Sequence, residues 1–506
     1  MTLLSRSTVK LGKFCADPLQ PPRGFREFTV SELKRRGAPD DRYFFAGSRV
    51  WPKLSRSGSK CSRTSSRVLP RPHQSLSRNC RMETFSAQDR FAGCLVGGAC
   101  GDALGCVVEE LQRAQIVAKY GELGVREFEK IYDYPGEFTD DTQMTLFTAE
   151  GLLSTILCKL KDDESLANFR AEDAVPALHQ SYLRWLASQN EESQSPLFKE
   201  VRNLGMLMTQ DKLQRRRGPG QTCRMSIKSG AVGSSKNKIN DSKGCGGIMR
   251  VAPCGLIVHS AFASLTSEEK AELAFKLGNV AAAITHTHPS GWLPSGCQAA
   301  IISWILSGES LEEAIARTVP LLEKEPHNEE TMTKILLARE LSREFLETFS
   351  KGDGEDSALE KQMLVLRHIE ALGHGFVGEE ALGITLYCAL VCGEDVETGI
   401  CYSVNHSGDS DSTGAMVGNI LGALFGEAAI PSKWKDNVLL GDLIREMSSD
   451  LFRVRDPDSR QELTAKYPPP IVTHKGEDYY SNEANLVTPP FRMPPGSIFF
   501  DWANSV

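Results

Sequence analysis

Asp409-Ser410-Asp411-Ser412-Thr413-Gly414-Ala415-Met416-Val417-Gly418-Asn419-Ile420-Leu421-Gly422-Ala423-Leu424-Phe425-Gly426 opens on acids and hydroxyls and passes directly into an apolar run with a glycine at every fourth position. That spacing puts one smooth stripe along a helix and lets another backbone approach closely. A membrane helix with such a stripe would dimerise, but this run is too short to span and Asn419 interrupts it. The stretch therefore reads as a buried helix of a soluble protein. Its opening resembles half of a calcium loop, with a glycine in sixth place, but the twelfth position is Ile420, where that loop needs a bidentate Glu.

A second acidic group, Thr139-Asp140-Asp141-Thr142, lies nearly 270 residues upstream and also opens an apolar, helix-like run. Ser, Thr and Asp are favoured helix caps, so one residue of each group has an ordinary structural explanation. Two adjacent aspartates in one loop and two more at i, i+2 in the other exceed what capping uses. Like charges so close repel unless something neutralises them. Oxygen donors of this kind suit Mg²⁺ or Mn²⁺ better than zinc.

Four blocks, in order, resemble the ADP-ribosyl-acceptor hydrolases, the family that includes the dinitrogenase-reductase-activating glycohydrolases. They are Gly97-Gly98-Ala99-Cys100-Gly101-Asp102-Ala103-Leu104-Gly105 with Glu109 following, Phe138-Thr139-Asp140-Asp141-Thr142-Gln143, Ser242 to Pro253 around Gly244-Cys245-Gly246-Gly247, and His406 to Gly414. A fifth stretch, Thr285-His286-Thr287-His288-Pro289-Ser290-Gly291, is similar to the family as well. The resemblance spans about residues 88 to 450 and implies a Mg²⁺-dependent hydrolase that removes ADP-ribose from a modified protein side chain or a small ADP-ribosyl substrate.

Carried over residue by residue, the resemblance implies two Mg²⁺ ions, with Mn²⁺ the alternative, held by Thr139, Asp140, Asp141, Asp409, Asp411 and Ser412. Ser412 stands where many relatives have Thr, and either hydroxyl can coordinate. Catalytic roles fall on Asp140, Asp141, Asp411 and Glu109, with Glu110 as the alternative register for the last. The alternative for Glu109 itself is a solvated acid at a helix end. Gly244, Cys245, Gly246 and Gly247 form a loop whose backbone N–H groups can face a diphosphate, although glycines also occur in ordinary turns. Cys245 replaces an Asn found in relatives, which removes one polar contact to the ligand. His286 is placed near the ADP-ribose; with His288 it makes an H-x-H pair that lacks a third partner for a metal site. Trp292 is open between stacking and packing, and Asp102 reads as a support for the ligands instead of a ligand.

Composition sets the frame. The chain has 506 residues, 58 Lys and Arg against 65 Asp and Glu, and a net charge of −7. Residues 1–81 hold 18 of the basic and 5 of the acidic residues, so a segment of +13 precedes one of −20. From Arg42 to Met82 there are ten basic residues, no acidic one and repeated Ser, a composition that builds no core. This leader reads as disordered, with a transit peptide, a basic arm for nucleic acid or anionic surfaces, and an over-long gene start as its alternatives. No apolar h-region of signal-peptide length follows the basic N-terminus. The fourteen cysteines are scattered through apolar runs and include no Cys-x-x-Cys, which points to a reducing compartment, cytoplasmic unless the leader targets an organelle. No run of 18 apolar residues exists for a membrane span, and outside the leader nothing points to nucleic acid.

Apolar residues at three- and four-residue spacing mark helices over 91–100, 143–160, 178–186, 268–285, 298–306, 311–322, 331–349 and 379–391. Strand signals are scarce. Polar or glycine-rich joins at 189–196, 215–243 and 351–356 read as surface loops. The expected fold is all-α: a single compact helical catalytic domain over 86–450 with a binuclear metal site, between the 1–85 leader and an irregular Pro-rich tail over 451–506. Two further functions stay open. A crystallin-like or regulatory member that binds ADP-ribose without cleaving it would typically lack metal ligands, and all six are present here. Phosphoryl chemistry would need a Lys or Arg clamp, and no phosphate-binding Gly-x-x-x-x-Gly-Lys-Ser/Thr loop occurs. Oligomeric state, linkage and anomer are not legible, although Asp-Ser-Asp-Ser-Thr-Gly resembles the relatives that act on ADP-ribosyl-arginine.

Overall fold

The computed structural model describes residues 85–109, 111–162, 166–350, 357–474 and 477–480. The leader up to residue 84, Glu110, the join at 351–356 and the prolines beyond 480 lie outside them. The described residues belong to one compact unit, Arg81–Val506.

Helices dominate. They are α1 (Ala87–Gly105), α2 (Arg113–Tyr120), α3 (Asp140–Asp162), α4 (Val175–Ser188), α5 (Phe198–Val201), α6 (Gln221–Ser229), α7 (Ala252–Ala261), α8 (Ser267–Ala283) and α9 (Pro289–Leu306). There follow α10 (Leu311–Leu322), α11 (Glu329–Ser350), α12 (Ala358–Leu372), α13 (Gly378–Val391), α14 (Val396–Val404), α15 (Ser410–Phe425), α16 (Ser432–Lys435), α17 (Gly441–Phe452) and α18 (Arg460–Lys466). The only strands among the described residues are two-residue segments near the end, Thr473–His474 and Glu477–Asp478, paired antiparallel. The all-α expectation therefore holds. No helix among the described residues is long and apolar enough to cross a membrane.

Local chemistry explains many of the starts. Ser86 accepts from Asp89 N–H ahead of α1, Thr266 and Glu269 form a reciprocal capping box ahead of α8, and Ser357 and Glu360 do the same ahead of α12. The expected helices at 298–306 and 91–100 are longer than their periodicity suggested, beginning at Pro289 and Ala87. The expected surface join at 215–243 is corrected: it contains α6, and Arg217 within it is 1% exposed.

The molecule is organised around α1 and α15. Every residue from Gly93 to Gly105 and from Ser410 to Ala423 is buried, so neither helix has a polar face. They pack antiparallel with their backbones in contact, Gly93 against Gly422, Gly97 against Gly418, Gly101 against Gly414 and Gly105 against Ser410. A side-chain carbon at any of these glycines would collide with main chain from the other helix, which is why small residues recur at four-residue spacing on both. Asn419 is buried in the same seam, where its Nδ2 donates to the Cys94 carbonyl at 2.7 Å. The antiparallel register brings the C-terminal end of α1 beside the N-terminal end of α15, and with it Asp102 and Glu109 beside Asp409 and Asp411.

After α17 the chain continues in contact with this core. Tyr467 Oη donates to the buried Asp450 at 2.7 Å, and Gln180 on α4 exchanges two hydrogen bonds with the backbone of Ile471.

Candidate functional site

Asp102, one residue beyond the Gly101 contact, ties α1 to the start of α3. Its Oδ1 accepts from the backbone and hydroxyl of Thr139 at 2.8 and 2.9 Å, and its Oδ2 accepts from those of Thr142 at 2.9 and 2.6 Å. An acid from α1 thus satisfies the unpaired N–H groups at the start of α3, a task usually left to the helix's own cap residue. With all its strongest acceptor directions used, Asp102 positions the loop that carries Asp140 and Asp141.

The loop is held from outside as well. Gly220 N–H, just before α6, donates to Asp140 Oδ2 at 3.0 Å. Arg217 pairs with Glu137 at 3.1 Å, both side chains 2% exposed, and also donates to the Phe138 carbonyl. Arg217, Glu137 and Gly220 escaped the sequence reading. The only signal was a basic residue beside Gly218-Pro219-Gly220, which looked like an exposed turn.

On the opposite side Asp409 caps α15, and its own N–H donates to the His374 carbonyl at 2.8 Å. His406 Nε2 and Thr413 Oγ1 lie 3.0 Å apart beneath it. Glu109, Asp409 and Asp411 each bring a carboxylate oxygen to within 4.8 Å of the others. Asp140, Asp141, Asp409 and Asp411 are all buried, at 3–4% exposure. Thr139 Oγ1 lies 3.3 Å from Asp141 Oδ2, while Asp141 Oδ1 is buried with no hydrogen-bond partner.

No Lys or Arg among the described residues forms an ion pair with any of these four aspartates. Like charges about 5 Å apart repel by roughly 3 kcal/mol at an effective dielectric of about 20, so the cluster needs protons or a cation. The carboxyls of Asp140, Asp141 and Asp409 are held well above the usual range, by burial first. Asp411 adds repulsion to all three, while the Gly220 hydrogen bond partly opposes the shift at Asp140. Burial and then Asp411 push Asp102 up to about 7 despite its four donors. A buried all-oxygen set with one unpartnered carboxylate oxygen fits a hard divalent cation. Thr139, Asp140, Asp141, Asp409, Asp411 and Ser412 are the residues that could hold it.

The glycine loop closes one wall. Gly244 bridges to Val377, Cys245 N–H donates to the Phe376 carbonyl at 3.0 Å, and Gly378 N–H donates to the Lys243 carbonyl at 2.8 Å. Gly244 N–H is also used, by Ser242 Oγ at 3.2 Å. Two of the loop's N–H groups are therefore engaged with protein. A side-chain carbon at Gly244 or Gly246 would sit 3.3 Å from His286 Nε2, so the bare backbone lets the imidazole lie directly under the loop. His286 is buried beside Thr285 Oγ1 at 2.9 Å, and burial together with Arg250 pushes it down to about 3, which keeps it neutral. Cys245 joins the acids: its thiol donates to Asp409 Oδ2 at 2.7 Å. Trp292 is buried in α9, at 6% exposure. His288 caps α9 by accepting from Ser290 N–H.

A family model described as ADP-ribosylglycohydrolase matches residues 84–461. An uncharacterised protein of Archaeoglobus fulgidus is 26% identical over 377 residues, which cover 72% of this chain and 97% of that protein. The ADP-ribosylhydrolase ARH3 of Bos taurus is 25% identical over 367 residues, covering 69% of this chain and 88% of its own. The ADP-ribosylarginine hydrolase Tri1 of Serratia proteamaculans is 22% identical over 377 residues, covering 74% and 81%.

Proposed function

The chain belongs to the ADP-ribosylglycohydrolase family and is a glycoside hydrolase, and from that premise we propose that it removes ADP-ribose from a modified protein side chain in a Mg²⁺-dependent reaction, with arginine the favoured acceptor. The observation that carries this reading is that Asp140, Asp141, Asp409 and Asp411 are all buried, with Asp411 acting on the other three, and that no Lys or Arg among the described residues pairs with any of them. Two Mg²⁺ ions held by these residues with Thr139 and Ser412 would supply polarisation of substrate oxygens and orientation of a water.

The protein's own groups do the rest. Water adds to the anomeric carbon, the bond from that carbon to the side chain breaks, and the departing side chain takes a proton. Glu109 suits the proton's path, because it reaches Asp409 and Asp411 and is the one member of the cluster that is only half-buried. The carboxylates around it stabilise the positive charge that develops on the sugar ring. Neutral His286 under the glycine loop offers a hydrogen bond to the substrate without adding charge.

Arginine is favoured by the activity for which the Serratia relative is named and by the Asp409 to Gly414 sequence, and the ARH3 relatives keep the linkage open. The deciding experiment measures free ADP-ribose released from arginine-, serine- and cysteine-linked peptides by the purified protein, with Mg²⁺ and with EDTA. Metal-dependent release from the arginine peptide alone is the expected result. Binding of ADP-ribose with no release from any peptide would favour the non-catalytic alternative.

A further inference from the structure

The segment from Gly373 to Gly378 touches both walls of the site. On one side the His374 carbonyl accepts from Asp409 N–H at 2.8 Å, and His374 Nδ1 donates to the Ser407 carbonyl at 2.6 Å. On the other, Val377 bridges to Gly244, the Phe376 carbonyl accepts from Cys245 N–H, and Gly378 N–H donates to the Lys243 carbonyl. The acid loop ahead of α15 and the glycine loop therefore hang from one short stretch of chain. Residues 373–377 belong to no helix, and Gly373 and Gly375 sit at φ 126° and 88°, in the region that only glycine enters freely.

Glu380 holds that stretch in place. From the first turn of α13 its Oε2 accepts from His374 N–H at 2.9 Å and from Gly375 N–H at 3.3 Å. A glutamate at the third position of a helix ordinarily reaches back to the N–H of the cap residue. Here the cap residue is Val377, and Glu380 passes it to bond the turn further upstream. A side-chain carbon on Gly373 would lie 2.1 Å from Glu380 Cδ, so the carboxylate fits only against bare backbone. Its side chain is 12% exposed, with Lys334 Nζ 3.7 Å from Oε1. We propose that Glu380 is a positioning residue for the reaction: by holding both N–H groups of the His374–Gly375 turn on one oxygen, it fixes the acid loop and the glycine loop relative to each other. The inference rests on the reading of those loops as the cation and ADP-ribose sites. The turn uses the place of that oxygen, and the charge shared with Lys334 is dispensable.

The test uses the full chain after treatment with a chelator and reads binding instead of turnover. Calorimetry gives the Kd of Mg²⁺, then that of ADP-ribose at saturating Mg²⁺, for the unsubstituted protein, Glu380→Gln and Glu380→Asp, while melting in EDTA reports on the fold. Gln keeps an oxygen where Oε2 stands; Asp keeps the charge and falls a methylene short of the turn. The expected result is that Glu380→Asp weakens both ligands by about tenfold, the worth of a hydrogen bond to a charged group, while Glu380→Gln stays within about twofold of the unsubstituted protein. Glu269→Ala, which breaks the capping box ahead of α8, should lower the melting temperature and leave both affinities alone. Unchanged affinities in Glu380→Asp, loss of only one of them, equal damage from Glu380→Gln, or a matching loss in Glu269→Ala overturns the positioning role and leaves the site standing. An unsubstituted protein that binds neither Mg²⁺ nor ADP-ribose overturns the reading of the site itself, and the positioning role with it.

Discussion

A side-chain carbon on Gly414 would lie 2.6 Å from the carbonyl oxygen of Gly101, so α1 and α15 touch through bare backbone one turn from the acids they carry. Gly414→Ala gains up to about 1 kcal/mol of helix propensity. It must also push two buried backbones apart, and overpacking of this kind costs about 1–3 kcal/mol. The steric cost wins, because the neighbours are the Gly101 main chain and buried Val404, which have nowhere to retreat. Urea unfolding should show a lower midpoint, and calorimetry a weaker Mg²⁺ affinity, since Asp102 and Asp411 ride on the displaced helices. An unchanged midpoint would mean that the two backbones are not in contact there.

Asp411 adds repulsion to Asp102, Asp140, Asp141 and Asp409. Asp411→Asn should therefore leave the fold intact and make the metal-free protein more stable, by on the order of 1–3 kcal/mol for the repulsion relieved. Hydrolysis should fall by at least about 100-fold, because stabilisation by the assembled charges is lost. Asp140→Asn should abolish hydrolysis in the same way. Thermal melts in EDTA and in Mg²⁺, paired with an ADP-ribose release assay, separate the two effects; full turnover in both variants would sink the metal assignment.

The raised carboxyls also predict an unusual pH response. A carboxyl whose folded pKa lies above its unfolded value binds more protons in the native state, so stability falls as pH rises between the two values. For Asp102 that window runs from 3.8 to about 7, and Asp140, Asp141 and Asp409 act in the same direction. Buried His179, His259 and His406, each held down to about 4, give the opposite slope below 6.5. Of these, His179 and His259 lie away from the acid cluster and contribute alike with and without cation. The Mg²⁺-induced rise in melting temperature should hence grow from pH 5 to pH 7.5. A rise that is flat across that range would contradict the shared burial of the four acids.

Much of this architecture is legible in the chain because its signals are local. The glycines at 414, 418, 422 and 426 announce a helix that another backbone touches, and Asp140, Asp141, Asp409 and Asp411 stand out as more acid than two caps require. What escaped has non-local causes. Nothing near Asp102 says that its partners are Thr139 and Thr142, 37 and 40 residues away. The helix through Pro294 begins nine residues before its apolar periodicity, because Pro289, Gly291, Pro294 and Gly296 read as breakers, yet burial on all sides outweighs their low propensity. Arg217 sits in a stretch whose composition is that of a surface loop, and its burial is made tolerable by Glu137 together with the Phe138 and Lys212 carbonyls.

That pair supplies the last prediction. Arg217 and Glu137 are both 2% exposed at the side chain, and Glu137 also accepts from the backbone of Asp133 and Tyr134 at 2.5 and 2.9 Å. Arg217→Met leaves Glu137 charged, buried and short of a partner, a change that typically costs 3–5 kcal/mol, here taken as about 4. Glu137→Gln keeps acceptor and donor groups in place and should cost less than half as much. The Arg217 guanidinium also holds the Phe138 carbonyl, the residue before Thr139. Loss of that anchor should therefore raise the Mg²⁺ concentration needed for half-maximal hydrolysis even where the protein is fully folded. Denaturant midpoints and Mg²⁺ titrations of both variants check the argument. Equal destabilisation by the two would show that the pair acts through packing instead of charge, and an unchanged Mg²⁺ requirement in Arg217→Met would detach this ion pair from the cage.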